Sequence, residues 1–413
     1  MKLESRYPVS FRLGYRAGRI RGFADGREAG FKIGFSNVQA TGQVAMSTEE
    51  RDAQENADAG SNAGDPEAVL QPSEGGARVA HLLIVSAEHL PSYQIGIRQP
   101  LSLLQEQGHC TFEVQSKHDV TDADVAAADI VIVQRSVEPH IYRYFEQAKL
   151  LGKRTVYVID DYYAALPPTD KRGKYFADPG RRKAFSDFLE NADIVKVDSP
   201  YFEKLLIEKY DSHVVYFPAS VNFSWMDRER KKPKSGSALV IGYEGTSKEK
   251  DFEPVVPALL RIMKEYGSSI RLEFYGFVPE RLENHPSVSF VQAEADYETF
   301  IRRLYRSHWD IGIAPLEDTP FNRCKTNNKF REYAACEIPG IYSSSPAYTD
   351  WVVHGETGVI VPHSEEGWYE GLKQLIEDRQ LRAHIQEQAE LAARMHFSVD
   401  TCARQWRKKI LDG

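Results

Sequence analysis

Cysteine is scarce in this chain. Cys110, Cys324, Cys336 and Cys402 are the four in 413 residues, and no two form a CxxC pair. That spacing excludes a zinc ribbon and a disulfide-stapled scaffold, and it suits a reducing cytoplasm. Long apolar runs are missing too: nothing approaches the roughly 18–20 residues that a membrane span requires. The opening MKLESRYPVSFRLGYR holds no apolar core of a secretory signal. There is no excess of basic charge, with 52 Lys and Arg against 60 Asp and Glu and a net charge of -8. A dedicated nucleic-acid binder is therefore not expected. The histidines fall at no metal-ligand spacing, and Ser199 and the other serines sit in no nucleophile elbow, so neither a metal site nor hydrolase chemistry is expected. These exclusions leave a cytoplasmic multi-domain protein that touches the inner face of a membrane at most peripherally.

The one internal repeat lies at residues 12–35, where Gly14, Gly18, Gly22, Gly26, Gly30 and Gly34 recur every fourth position. Tyr15, Phe23, Phe31 and Phe35 each follow one of them. A four-residue spacing approximates the helical period and lines the glycines along one face. Each costs about 1 kcal/mol against alanine in a helix interior, so an isolated helix would not hold. Either a second helix approaches the stripe closely, through self-association or a partner, or the arm (1–36) is a basic tail that is helical part of the time. Residues 37–77 are rich in Ala, Gly, Ser, Asp and Glu and lack aromatics, which predicts a disordered acidic linker.

From Arg78 the pattern changes. VAHLLIVSA, TFEVQ, ADIVIVQR, KRTVYVIDD, ADIVKVDS and HVVYFPASV are short apolar runs of buried-strand type, separated by helical stretches of ten or so residues. Such alternation predicts βαβ units and a parallel sheet. A basic stretch at 227–237 reads as a linker, and the alternation restarts at ALVIGYEGT and continues through RLEFYGF, VSFVQ, WDIGIAPL, IPGIYSS and GVIVP. The expected organisation is two doubly wound, Rossmann-like domains facing a cleft, at 78–226 and 237–395. A last helix at 396–413 would pack back on the first domain. Ligands of such sheets bind at the carboxyl ends of the strands.

Two segments carry chemistry. In KTNNKFREYAACEIPGI, Thr326 is a plausible helix cap, and Lys325, Lys329 and Glu332 fall at i, i+4 and i+7, toward one face. The helix N-terminus with two lysines would hold a diphosphate, and Glu332 could accept two hydrogen bonds from a ribose diol. The bland alternative is a solvated helix with an ordinary Lys/Glu pair. In IGYEGTSKEKDF, Gly242, Gly245, Thr246 and Ser247 between strand and helix form a loop that lets the backbone approach a phosphate, with Lys248 or Lys250 neutralising it. On the other half, Asp160 and Asp161 end one strand and Arg135 another. The carboxylates could orient an acceptor hydroxyl and Arg135 engage a phosphate or acidic acceptor, or the aspartates could simply cap the next segment.

IGYEGT, NKFREYAACEIPGIYSS and HGETGVIVPHSEEGWYEGLKQLIEDRQLR resemble the GT-B glycosyltransferases of the large retaining family four. VYVIDDYY and VVYFPASVN extend the resemblance more weakly, to about residues 80–410. It implies transfer of a sugar, with retention, from a nucleotide-diphosphate donor to an acceptor hydroxyl, in bacterial glycan or glycoconjugate synthesis. No metal or other cofactor is implied, because the nucleotide sugar is itself the substrate. Gly245, Thr246, Lys248, Asn328, Lys329 and Glu332 would bind the donor nucleotide. Lys329, Lys325, Asp161 and Arg135 would serve catalysis. Three positions depart from the family: Cys324 stands where an acidic residue contacts the donor sugar, Glu337 where a glycine is usual, and Ala219 where an asparagine is. A sugar-nucleotide epimerase and a non-catalytic scaffold assembled through the glycine arm are the alternatives.

Overall fold

The computed structural model describes residues 79–169, 171–229, 236–246 and 248–413. The glycine arm and the acidic linker lie outside them. The first lobe is built on β1 (Ala80–Val85), β2 (Cys110–Gln115), β3 (Ile130–Gln134), β4 (Arg154–Val158), β5 (Ile194–Val197) and β6 (Val214–Tyr216), in the order β2-β1-β3-β4-β5-β6. The second is built on β7 (Leu239–Glu244), β8 (Ile270–Tyr275), β9 (Val288–Val291), β10 (Ile311–Ala314), β11 (Gly340–Ser343) and β12 (Val359–Val361), in the order β12-β11-β10-β7-β8-β9. Every neighbouring pair in both sheets is parallel.

Both sheets are covered by helices on both faces, which is why their strands read as continuous apolar runs rather than alternating ones. All five residues of β3 are buried. In β5 the run contains Lys196, fully buried; its ammonium bonds the Asp198 carboxylate and lies 4.6 Å from the centre of the Phe217 ring. Glycines in the second sheet make room for large aromatics. A Cβ on Gly242 would come within 1.8 Å of the Trp309 ring, and one on Gly312 within 2.7 Å of Tyr333.

The chain passes between the lobes twice, and the two passages touch. After β6 it runs through Val221, whose amide donates to Phe397 O at 2.7 Å. This first crossing precedes the basic stretch at 227–237: Phe223 and Met226 already pack with Ile301, Leu304 and Phe330 of the second lobe. The return follows the long helix Arg379–Phe397, and Ser398 pairs with Val221. The next helix, Val399–Trp406, lies against Gln99–Glu106 of the first lobe, where Trp406 is fully buried and its Nε1 donates to Gly96 O at 2.8 Å.

Strand order reverses beside β1 in one sheet and beside β7 in the other. At such switch points adjacent connections leave in opposite directions and open a crevice beyond the strand ends. The carboxyl ends of β3, β4, β7 and β10 accordingly border one cavity between the lobes.

Candidate nucleotide-sugar site

That cavity has a volume of about 500 Å³. The first lobe contributes Arg135, Asp160 and Asp161 to its wall. The second contributes Gly245, Thr246, Lys248, Lys325, Asn328, Lys329 and Glu332. The nine residues expected to bind the donor or serve catalysis, with Asp160 beside them, therefore meet around one space, although they come from segments nearly two hundred positions apart. Lys250, the other cation of the glycine loop, is exposed and lies outside it.

The local geometry corrects several details. The cap of the helix Asn328–Ala335 is Asn327, not Thr326, and it makes no side-chain capping bond. Thr326 instead turns its hydroxyl toward Asn327 Oδ1 at 3.5 Å. Lys325 does not follow Lys329 along the helix face. It lies before the cap and reaches into the first lobe, where its Nζ is 3.0 Å from Asp161 Oδ1. Gly245 has φ +148°, so the turn requires a glycine, but its N–H is already bonded to Tyr275 O at 3.0 Å. It brings the backbone near a ligand rather than offering an amide to it. Gly276, at φ +83°, fits beneath: a Cβ there would stand 2.7 Å from Gly245 O.

Arg135 is engaged internally. Its Nη1 is 3.0 Å from Asp160 Oδ2, its Nη2 is 3.1 Å from Asp161 Oδ2, and its Nε donates to the Tyr163 hydroxyl at 3.0 Å. Its backbone is left-handed, with φ 55°, a conformation rare in non-glycine residues and held here by that fork of bonds. Burial opposes the charge of Asp161, but Lys325 and then Arg135 outweigh it and hold the carboxyl below its ordinary range. At Asp160 burial prevails over the attraction of Arg135, and with Asp161 and Asp198 adding to the rise it pushes the carboxyl up to about 6.

On the second lobe, Lys248 and Lys329 each have a carboxylate beside them. Lys248 is 3.2 Å from Asp251, and burial lowers its pKa. The Lys329 ammonium bonds Glu244 and lies 3.9 Å from Glu332. Burial opposes its charge, but those two carboxylates prevail and raise its pKa. Glu332 is raised to about 8, first by burial and then by the charge of Glu244. At neutral pH it is mostly the protonated partner. The Tyr297 hydroxyl donates to its Oε1 at 3.2 Å. Asn328 Oδ1 accepts from Arg331 Nη2 at 2.5 Å, and the buried Arg331 reaches Ala219 O at 3.5 Å.

Glu244 and Tyr297 are the residues that reading the sequence missed. Glu244 had a signal, being the charged residue that closes an apolar strand just before the glycine turn. Tyr297 had none; it opens an amphipathic helix and meets Glu332 through tertiary packing.

No family model matches the chain, and no curated protein matches it. Solved structures do. HepE of Anabaena, determined in complex with UDP and glucose, superimposes with a TM-score of 0.59 at 14% identity, over 81% of this chain and 100% of that one. A glycosyltransferase of Rickettsia africae gives 0.57 at 13% identity, over 81% and 98%. Sucrose-phosphate synthase of Thermosynechococcus elongatus gives 0.57 at 14% identity, over 81% and 100%. The fold is the two-lobed GT-B fold of glycosyltransferases.

Proposed function

We propose that the protein is a glycosyltransferase that moves a sugar from a nucleotide-diphosphate donor to an acceptor hydroxyl, with retention, in bacterial glycan or glycoconjugate synthesis. The observation that carries this reading is the convergence of Lys248, Lys325, Lys329 and the N-terminus of the 328–335 helix on one interlobe cavity that also holds Glu332. Three ammonium groups and a helix dipole suit a departing diphosphate, and stabilising that charge is the main demand of the reaction. They do so with no metal in the scheme. The UDP and glucose bound by HepE are of the class this cavity would take. Arg135 and Asp161 then stand on the acceptor side, and swinging of the lobes brings the substrates together and excludes water. The reaction would run in the cytoplasm; among the described residues no helix is long and apolar enough to cross a membrane. The glycine arm at 12–35 would mediate self-association or docking.

The test is a thermal-shift panel of UDP, GDP, ADP and TDP and their common sugars, with and without added metal. A rise with one nucleotide, unaltered by chelator, supports the reading, because a ligand of the folded state raises its stability by mass action. Absence of any shift in folded protein overturns it. That outcome would favour the second reading, a non-catalytic body of the same fold, for which the specific observation is the burial of Cys324 at the family's sugar-contacting position.

A further inference from the structure

Glu244 ends β7, 7% exposed, with its carboxylate on the ammonium of Lys329. Two acids therefore share one cation: Glu244 holds it, and Glu332 stands 3.9 Å from it. The other ionisable groups packed around them leave that balance in place. Tyr243, Tyr333 and Tyr348 are raised by burial and stay neutral. Tyr297 is likewise neutral and donates to Glu332. Arg331 is turned to Asn328 and Ala219, and Lys248 is matched by Asp251. The cradle of a diphosphate is thus already neutralised from within.

We propose that Glu244 is a positioning residue that acts as the resident counter-anion of this cradle: it occupies Lys329 in the empty site, is displaced by the diphosphate, and thereby keeps nucleotide affinity low enough for product to leave. This rests on the cavity being the nucleotide-diphosphate site. An ammonium has three donors and no acceptor, so Lys329 can turn from carboxylate to phosphate without losing its bonds. Glu244 is then a buried anion beside a more highly charged one, and like charges at close range in a poorly solvated site repel strongly. The repulsion is relieved when the nucleotide departs, and it grows as pH rises toward the raised value of Glu332, about 8, where that carboxyl becomes a second anion. Release of product limits turnover in many enzymes, so a group that opposes its retention raises kcat.

The test uses the full chain, with UDP, or whichever diphosphate of the panel binds, as probe. Binding is followed by calorimetry and release by stopped flow at pH 6 and pH 8. In the wild type, Kd should rise from pH 6 to pH 8. Glu244→Gln should bind about tenfold more tightly at pH 8, as expected for removing one nearby unit charge, with slower release and a flattened pH dependence. Its kcat and donor KM should fall together. Glu244→Asp, which keeps the charge, should restore the wild-type pH trend. Equal or weaker binding by folded Glu244→Gln overturns the inference, as does a wild-type Kd that is flat from pH 6 to 8. If no diphosphate binds the wild type at all, it is the reading of the cavity that fails.

Discussion

Lys325 and Asp161 are joined across the interlobe cavity, with Nζ 3.0 Å from Oδ1, although 164 positions separate them in sequence. The lysine is 23% and the aspartate 11% exposed, which places the pair between a surface bridge and a buried one. Asp161 also accepts from Arg135, so its carboxylate is bonded at both oxygens. Lys325→Met should cost about 1–3 kcal/mol in chemical denaturation. It should also expand the molecule, measured as a larger radius of gyration by small-angle scattering. Adding Asp161→Asn to that background should cost less than Asp161→Asn alone, and strict additivity of the two would show that the pair is not coupled.

Under the proposed function Lys329 is the cation best placed for a leaving diphosphate, since it lies in the first turn of the 328–335 helix, inside the cavity. Lys329→Met should lower transferase turnover by about a hundredfold or more, as loss of a preorganised charge-stabilising group does. Far-ultraviolet circular dichroism should be unchanged, because Glu332 is already mostly protonated and one acid remains to be accommodated rather than two. Wild-type turnover in this variant would remove Lys329 from the site.

The acid pair also predicts how stability varies with pH. The pKa of Glu332 is near 8 in the folded protein, well above that of an exposed glutamate, so the folded state binds the proton more tightly than the unfolded one. A raised carboxyl contributes stability that is full below the unfolded value and lost as pH rises through the folded one. Asp160, raised to about 6, adds a loss at lower pH. Between pH 6 and 8.5, therefore, Tm should fall, and Glu332→Gln should remove most of that fall. A wild-type Tm that climbs over this interval would contradict the assignment.

Cys324 stands where the resemblance to family four leads one to expect a sugar-contacting acid, yet it does not border the cavity. Its side chain is fully buried in the core of the first lobe, with Tyr162, Phe185 and Phe202 in the same cluster, and burial lifts its thiol to about 12. Restoring the acid by Cys324→Glu should therefore destabilise the protein by about 3 kcal/mol or more, by placing a carboxyl among apolar side chains. It should not improve donor KM. An improved KM with an unchanged Tm would mean that this loop is free to turn toward the donor.

What the sequence made legible follows from local rules. Parallel strands covered on both faces must be apolar throughout, so IVIV in β3 and IGIA in β10 announce themselves. Residues just past strand ends in such sheets face the crevice, so Arg135, Asp161 and Gly245 could be placed without coordinates. What stayed hidden depends on contacts made across the molecule. Nothing near Lys325 indicates that its partner is in the other lobe, nothing near Cys324 that it enters the other lobe's core, and nothing near Thr326 that the helix starts one residue later. Glu244 is a milder case: a charge closing an apolar strand was visible, but its role depends on Lys329, 85 positions away.

The paired crossings at Val221 and Phe397–Ser398 have a mechanical consequence. Two chain segments bonded side by side form a ribbon, and a ribbon bends about one line far more easily than it shears along its length. Motion of the lobes is thereby reduced to a single swing about that seam, like a door on a piano hinge. A small angular change there is magnified at the far lip of the cavity, where Lys325 meets Asp161 and Cys324 is seated in the core of the first lobe. Opening the door therefore means breaking that ion pair and unseating this loop together.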